Sequence, residues 1–177
     1  MTITIYAASN SQAPPIYMQA ARDLGRIIAE NGITCINGGG KTGLMAQVTD
    51  AILEQDGRVI GILPQFMVDR FWGHLSLTER IITPDMHTRK QLMAQRSDAC
   101  IALPGGIGTL EELLEIITWK QLGLYSKPVV ILNTNGYFND LLRMLEKAEE
   151  EHFLDHSHEP LWTVAETPEE AFKQTGL

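Results

Sequence analysis

Two short segments hold the residues best suited to chemistry. One is Leu103-Pro104-Gly105-Gly106-Ile107-Gly108-Thr109-Leu110-Glu111-Glu112. Glycines at 105, 106 and 108 let the backbone approach an anion closely, and the N–H groups opening the next helix point at it. Thr109 adds a hydroxyl donor, so the segment reads as a cradle for a single phosphate. A dinucleotide loop would want its third glycine where Glu111 stands, and a carboxylate there repels a pyrophosphate. Glu112 has two readings. Thr109-x-x-Glu112 spells a capping box, in which the carboxylate serves its own helix. Alternatively it is a carboxylate kept ionised by the helix N-terminus, suited to electrostatic or base work rather than proton donation.

The other segment is Met86-His87-Thr88-Arg89-Lys90. It puts two cations at the start of a helix, where the macrodipole disfavours them. They are either a solvated basic pair or the partners of a nearby anion. A glycine run, Gly38-Gly39-Gly40-Lys41-Thr42-Gly43, matches two motifs only formally. The dinucleotide reading needs an acidic residue closing the next strand, but that strand closes on Leu63-Pro64 and Asp56 precedes it. The triphosphate reading needs a glycine where Cys35 stands. What remains is a tight turn, or a wall that meets a ligand through its backbone. The histidines offer less: Asp155-His156-Ser157-His158-Glu159 lacks a third spaced ligand, and His74 and His87 are singletons. No metal and no organic cofactor is expected.

These segments need a frame. Strand-like runs at 3–7, 33–36, 58–63, 76–82, 99–103, 129–133 and 161–164 alternate with helical patterns. The helices fall at 16–31, 44–53, 83–97, 109–123 and 137–151, with a last one opened by the capping box Thr167-Pro168-Glu169-Glu170. Residues 65–75 read as irregular. Near-continuous apolar strands alternating with helices predict an α/β fold, a doubly wound, mostly parallel, Rossmann-like sheet with helices on both faces. Ligands in such sheets sit beyond the carboxyl ends of the strands, where both glycine loops fall.

The bulk properties agree. The 177 residues, 44% hydrophobic and 20% charged, fit one α/β domain over 1–177. A net charge of −8 argues against broad nucleic-acid binding. No apolar run reaches the ~18–20 residues that span a bilayer, so no membrane partner and a cytoplasmic location are expected. Cys35 and Cys100 stand inside apolar strands and read as buried, inert thiols.

Taken together, the motifs resemble those of the LONELY GUY (LOG) family, long labelled lysine decarboxylase-like. Pro104, Gly105, Gly106, Gly108, Thr109 and Glu112 meet its P-G-G-x-G-T-x-x-E hallmark, and Met86, His87, Arg89 and Lys90 its M-H-x-R-K element. Gly38-Gly39-Gly40, Gly43, Leu44 and Met45 meet a G-G-G-x-x-G-L-M segment. One departure is Ala7-Ala8-Ser9-Asn10 where the family shows C-G-S-S, so the nucleotide wall there is expected to differ in shape.

The resemblance implies a phosphoribohydrolase that cleaves N6-substituted adenosine 5′-monophosphates (cytokinin ribotides) to free base and ribose 5-phosphate. A broader nucleoside-monophosphate nucleosidase and a non-catalytic nucleotide binder are the alternatives. It implies Arg89 and Glu112 as the essential pair. Ser9, Gly39, Met86, Lys90, Gly105, Gly106, Gly108 and Thr109 join them as substrate contacts. A decarboxylase would need a pyridoxal Schiff-base lysine with a pyridinium partner, and no such set is visible. A homodimer is also expected. Leu110, Leu113, Leu114, Ile117, Leu122 and Leu124, with Met86, Leu92 and Met93, exceed what one sheet face needs.

Overall fold

The computed structural model describes residues 1–154 and 160–177; the stretch at 155–159, expected to bind no metal, lies outside the described residues. Seven strands form one sheet: β1 (Thr2–Tyr6), β2 (Thr34–Asn37), β3 (Val59–Pro64), β4 (Glu79–Thr83), β5 (Ala99–Ala102), β6 (Val129–Leu132) and β7 (Thr163–Ala165). Every pairing is parallel and the order is β4-β3-β2-β1-β5-β6-β7. The chain thus builds outward from β1 on one side, then returns beside β1 and builds the other way. The switch point between β1 and β5 is where such sheets leave a crevice.

Seven helices accompany the strands: α1 (Pro15–Glu30), α2 (Gly43–Leu53), α3 (Gln65–Asp69), α4 (Met86–Arg96), α5 (Ile107–Gln121), α6 (Asn139–Glu150) and α7 (Pro168–Gln174). Strand alternation sorts the core into two layers. Ile3 and Ile5 of β1 and Ile101 of β5 pack with Leu24, Ile28, Val48 and Phe172 on the α1, α2 and α7 face. Tyr6, Cys100 and Ala102 point the other way, onto Met93, Leu113, Ile116 and Ile117 of α4 and α5. Both cysteines are buried and free. Burial pushes the Cys35 thiol far up and the Cys100 thiol up to about 12, so neither is a nucleophile.

Three local expectations change. Helix α5 starts at Ile107 with Gly106 as N-cap and no side-chain cap bond, so the Thr109–Glu112 capping box does not form. The glycines let the helix begin earlier, which leaves Thr109 and Glu112 inside it with buried side chains. The 65–75 stretch contains the short helix α3 after Pro64, and β4 begins at Glu79 rather than near residue 76. The last helix does use Thr167: its hydroxyl accepts from the Glu170 N–H at 3.3 Å while the Glu170 carboxylate takes the Glu166 N–H.

Candidate active site

The loops after β1, β2, β3 and β5, with the first turns of α4 and α5, enclose a cavity of about 640 Å³, a size suited to small ligands. Arg89 stands on the second turn of α4 with only 4% of its surface exposed. Its Nε donates to the Ile62 carbonyl at 3.0 Å and its Nη1 to Glu112 Oε1 at 2.7 Å. A Cβ on Gly38 would sit 2.0 Å from Arg89 Nη2, so this glycine exists to admit the guanidinium. The misplaced cation of the sequence therefore has its anion: a carboxylate on the neighbouring helix.

Glu112 is 8% exposed and lines the cavity. Burial pushes its carboxyl above the ordinary range, and Arg89 pulls against that rise. Its ionised form thus draws on the buried partner Arg89 as well. No protein donor among the described residues occupies Oε2, which leaves that oxygen for a ligand.

Around the pair lie the backbone walls. Gly106, Gly108 and Thr109 face the cavity from the start of α5. A Cβ on Gly105 would stand 2.1 Å from Thr109 Oγ1, so the bare backbone there frees the hydroxyl to sit close under the loop. Tyr137 donates its hydroxyl to the Gly105 carbonyl at 2.7 Å and fixes the loop from outside. Ser9 and Met86 line the cavity, with Ala8 and Asn10 beside Ser9.

Three expected contacts are not among the lining residues. Gly105 forms the outer wall instead, and Gly39 packs on Leu63 with φ +68. Lys90 turns away to Glu111 and to Glu115, the latter at 3.0 Å. Although burial works against its charge, these hydrogen bonds lift its ammonium above the ordinary range. Arg89 faces the cavity from the α4–α5 contact, and Lys90 staples the same contact from behind.

The family described as "Possible lysine decarboxylase" matches residues 45–175. The chain is 42% identical over 172 residues to a cytokinin riboside 5′-monophosphate phosphoribohydrolase of Arabidopsis thaliana, covering 97% of this chain and 80% of that one. A probable enzyme of the same name from Oryza sativa subsp. japonica is 41% identical over 172 residues, 97% of this chain and 69% of that one. The chain belongs to the LOG family. Among solved structures, the Moco carrier protein of Chlamydomonas reinhardtii matches with a TM-score of 0.72 at 23% identity. It covers 97% of this chain and 93% of that one, a likeness of fold.

Sequence reasoning missed several residues of this LOG-family site. Asn37, fully buried at the end of β2, accepts from the Gly39 N–H at 2.8 Å and donates to Thr49 Oγ1 at 3.0 Å. An Asn directly before three glycines is a readable turn signal. Met45, Lys41 and Thr42, read from the sequence only within the glycine run and its motif, line the cavity, and Met45 takes the Gly40 N–H on its sulfur at 3.0 Å. Met67 and Trp72 close the far wall from a stretch with no periodicity to read. Among the described residues, no group of three or more acidic, His or Cys side chains is placed to hold a metal ion.

Proposed function

We propose that this LOG-family chain hydrolyses the N-glycosidic bond of N6-substituted adenosine 5′-monophosphates, yielding free base and ribose 5-phosphate. The buried Arg89–Glu112 pair, opening on a cavity walled by a glycine-rich helix start, is the observation that carries this reading. The names of the plant relatives agree with it.

In this reading the 5′-phosphate lies against the N–H groups of Gly106 and Gly108 and the Thr109 hydroxyl. Glu112 Oε2 faces the ribose. As the bond to the base lengthens, positive charge grows on the sugar, and a carboxylate already fixed beside it stabilises that charge without reorganising. Water supplies the hydroxyl that ends on C1′ and the proton that ends on the base. Arg89 keeps Glu112 ionised and aimed; its own guanidinium is too weak an acid to protonate a purine. The residues do not fit a pyridoxal decarboxylase: Lys90 is bound by two carboxylates and Glu112 is committed to Arg89.

The assay compares N6-isopentenyl-AMP with AMP and measures released base. Faster release from the isopentenyl nucleotide is the expected result. Equal or faster release from AMP would make the enzyme a general nucleosidase, and no release from either would leave a nucleotide binder.

We also assign the active form to a two-fold dimer, on revised grounds. Leu113, Ile117 and Met93 are buried in the protein's own core and drop out of the sequence argument. Leu114, Leu122 and Leu124 remain exposed along α5 and just past its end, and Ile107, not part of that argument, joins them. Ile107 adjoins the proposed phosphate cradle, so a second copy on this face would close the site. Light scattering giving a mass near 40 kDa supports this; a mass near the 19.7 kDa of one chain overturns it.

A further inference from the structure

The cavity has a second end. Strand order puts the proposed phosphate cradle over β5 and the loop after β3 three strands away, about 14 Å at the usual strand spacing. With the phosphate in the proposed cradle, sugar and purine take up that span and an N6 substituent meets the loop wall, which Met67 and Trp72 line. That wall belongs to no strand and no long helix, so something else must hold it still.

The fastening is His74. Its Nδ1 accepts from the Ser76 N–H at 3.2 Å, which assigns the ring proton to Nε2, and Nε2 donates to Asp50 Oδ1 on α2 at 2.9 Å. The His74 N–H donates to the Gly39 carbonyl at 2.8 Å, the Lys41 N–H to the Trp72 carbonyl at 3.1 Å, and Arg80 to the His74 carbonyl at 2.7 Å. A single antiparallel bridge, with Gly40 opposite Gly73, therefore ties the loop to the glycine run after β2. The His74 side chain anchors that bridge to a helix. On the outer side the Arg70 guanidinium lies 5.1 Å from the Trp72 ring centroid, a contact that orients the ring.

We infer that His74 is a positioning residue for substrate selection: through Asp50 it fixes the loop so that Trp72 and Met67 form a set wall against the N6 substituent. The inference rests on the function proposed above. It assigns His74 no contact with the nucleotide and no proton transfer.

The test uses His74→Asn in the 177-residue chain. Asn keeps an acceptor for the Ser76 N–H but is too short to reach Asp50. KM for N6-isopentenyl-AMP should rise about tenfold, the range set by losing one apolar contact surface, while kcat for both nucleotides and KM for AMP stay within about twofold. Asp50→Ala should behave likewise, and Asp50→Asn, which keeps an acceptor oxygen, should restore the wild-type values. In a Trp72→Ala background the His74→Asn change should add nothing, because the latch acts through the indole; a generally structural role would add its full effect there. Equal losses for both nucleotides, or full additivity, overturn the inference. Amide hydrogen exchange separates this outcome from failure of the function itself. His74→Asn should speed exchange at the Lys41 amide and at the amide of residue 74 whatever the protein hydrolyses, and unchanged protection there overturns the latch.

Discussion

The two ends of the cavity are built on opposite principles. At the polar end, Arg89 and Glu112 project from the early turns of α4 and α5, are nearly buried, and meet at 2.7 Å. At the apolar end, Met67 and Trp72 come from a short helix and an irregular loop, and Trp72 is 46% exposed. Bond cleavage needs charge fixed to a fraction of an ångström, which rigid helices provide. A wall that selects by apolar contact tolerates a looser support, held here by one backbone bridge, a cation on a ring and one histidine latch. Chemistry and selectivity should therefore fail separately when each end is broken.

The largest effect belongs to the polar end. Glu112→Gln keeps the size and a hydrogen-bonding group but removes the charge. It should cut kcat about 100- to 1,000-fold with the fold kept by circular dichroism. A near-normal rate would remove Glu112 from the chemistry. Arg89→Ala should disable the enzyme as well and also destabilise it by about 3 kcal/mol, because it leaves the Glu112 carboxylate buried without its partner.

The next effect is read on the wild-type enzyme. Burial lifts the Glu112 carboxyl above the ordinary value, with Arg89 opposing, and in the proposed mechanism the ionised form is the useful one. Turnover should be full above that raised value and fall about tenfold per unit as pH drops through it. The acid limb of kcat/KM, which reports the free enzyme, should then lie above the ordinary Glu value of about 4.3. A limb at or below that value would mean that burial does not govern the reacting carboxylate.

The difference between the ends also explains what was legible in the sequence. The polar end is written in glycines, Thr109, Glu112 and the unfavourably placed Arg89, all at element boundaries with fixed spacing, so chain order alone put them near one another. The sheet was legible for the same reason: its strands are apolar runs punctuated by glycine and proline. Which cation meets which carboxylate was implied by the family resemblance alone, because Arg89 and Lys90 are neighbours and only helix packing sends one to Glu112 and the other to Glu111 and Glu115. The apolar end was invisible. Trp72 and His74 act through loop backbone bonds to residues 39–41, and Met67 is tied to Trp72 by one more, and such pairings leave no period to read.

Breaking the apolar end should show a smaller and more selective effect. Trp72→Ala should lower kcat/KM for N6-isopentenyl-AMP about tenfold more than for AMP, as expected for removing one apolar wall. Competition between the two nucleotides in one tube measures this ratio directly. An unchanged ratio would move the substituent away from the loop.

The smallest effect tests how the loop aims its tryptophan. Helix α3 ends with the Phe71 N–H bonded to the Val68 carbonyl at 2.9 Å and the Trp72 N–H to the Met67 carbonyl at 3.1 Å, the paired bonds of a Schellman motif. The residue at the turn is Phe71, at φ 57, where glycine is usual. Left-handed backbone costs a residue with a Cβ about 1 kcal/mol, and the Phe71 ring, 80% exposed, offsets little of it by burial. Glycine adopts the same turn without that cost but loses more freedom on folding, so Phe71→Gly should stabilise by no more than about 0.5–1 kcal/mol. That is a rise of about 1–4 °C in Tm for a chain of this size. Because the turn is kept, Trp72 keeps its aim and the preference between the two nucleotides should not change. Phe71→Ala, which loses the ring but keeps the Cβ, should give no such rise. If both variants lower Tm, the ring itself is in contact with something, and the wall at this end is better supported than its exposure indicates.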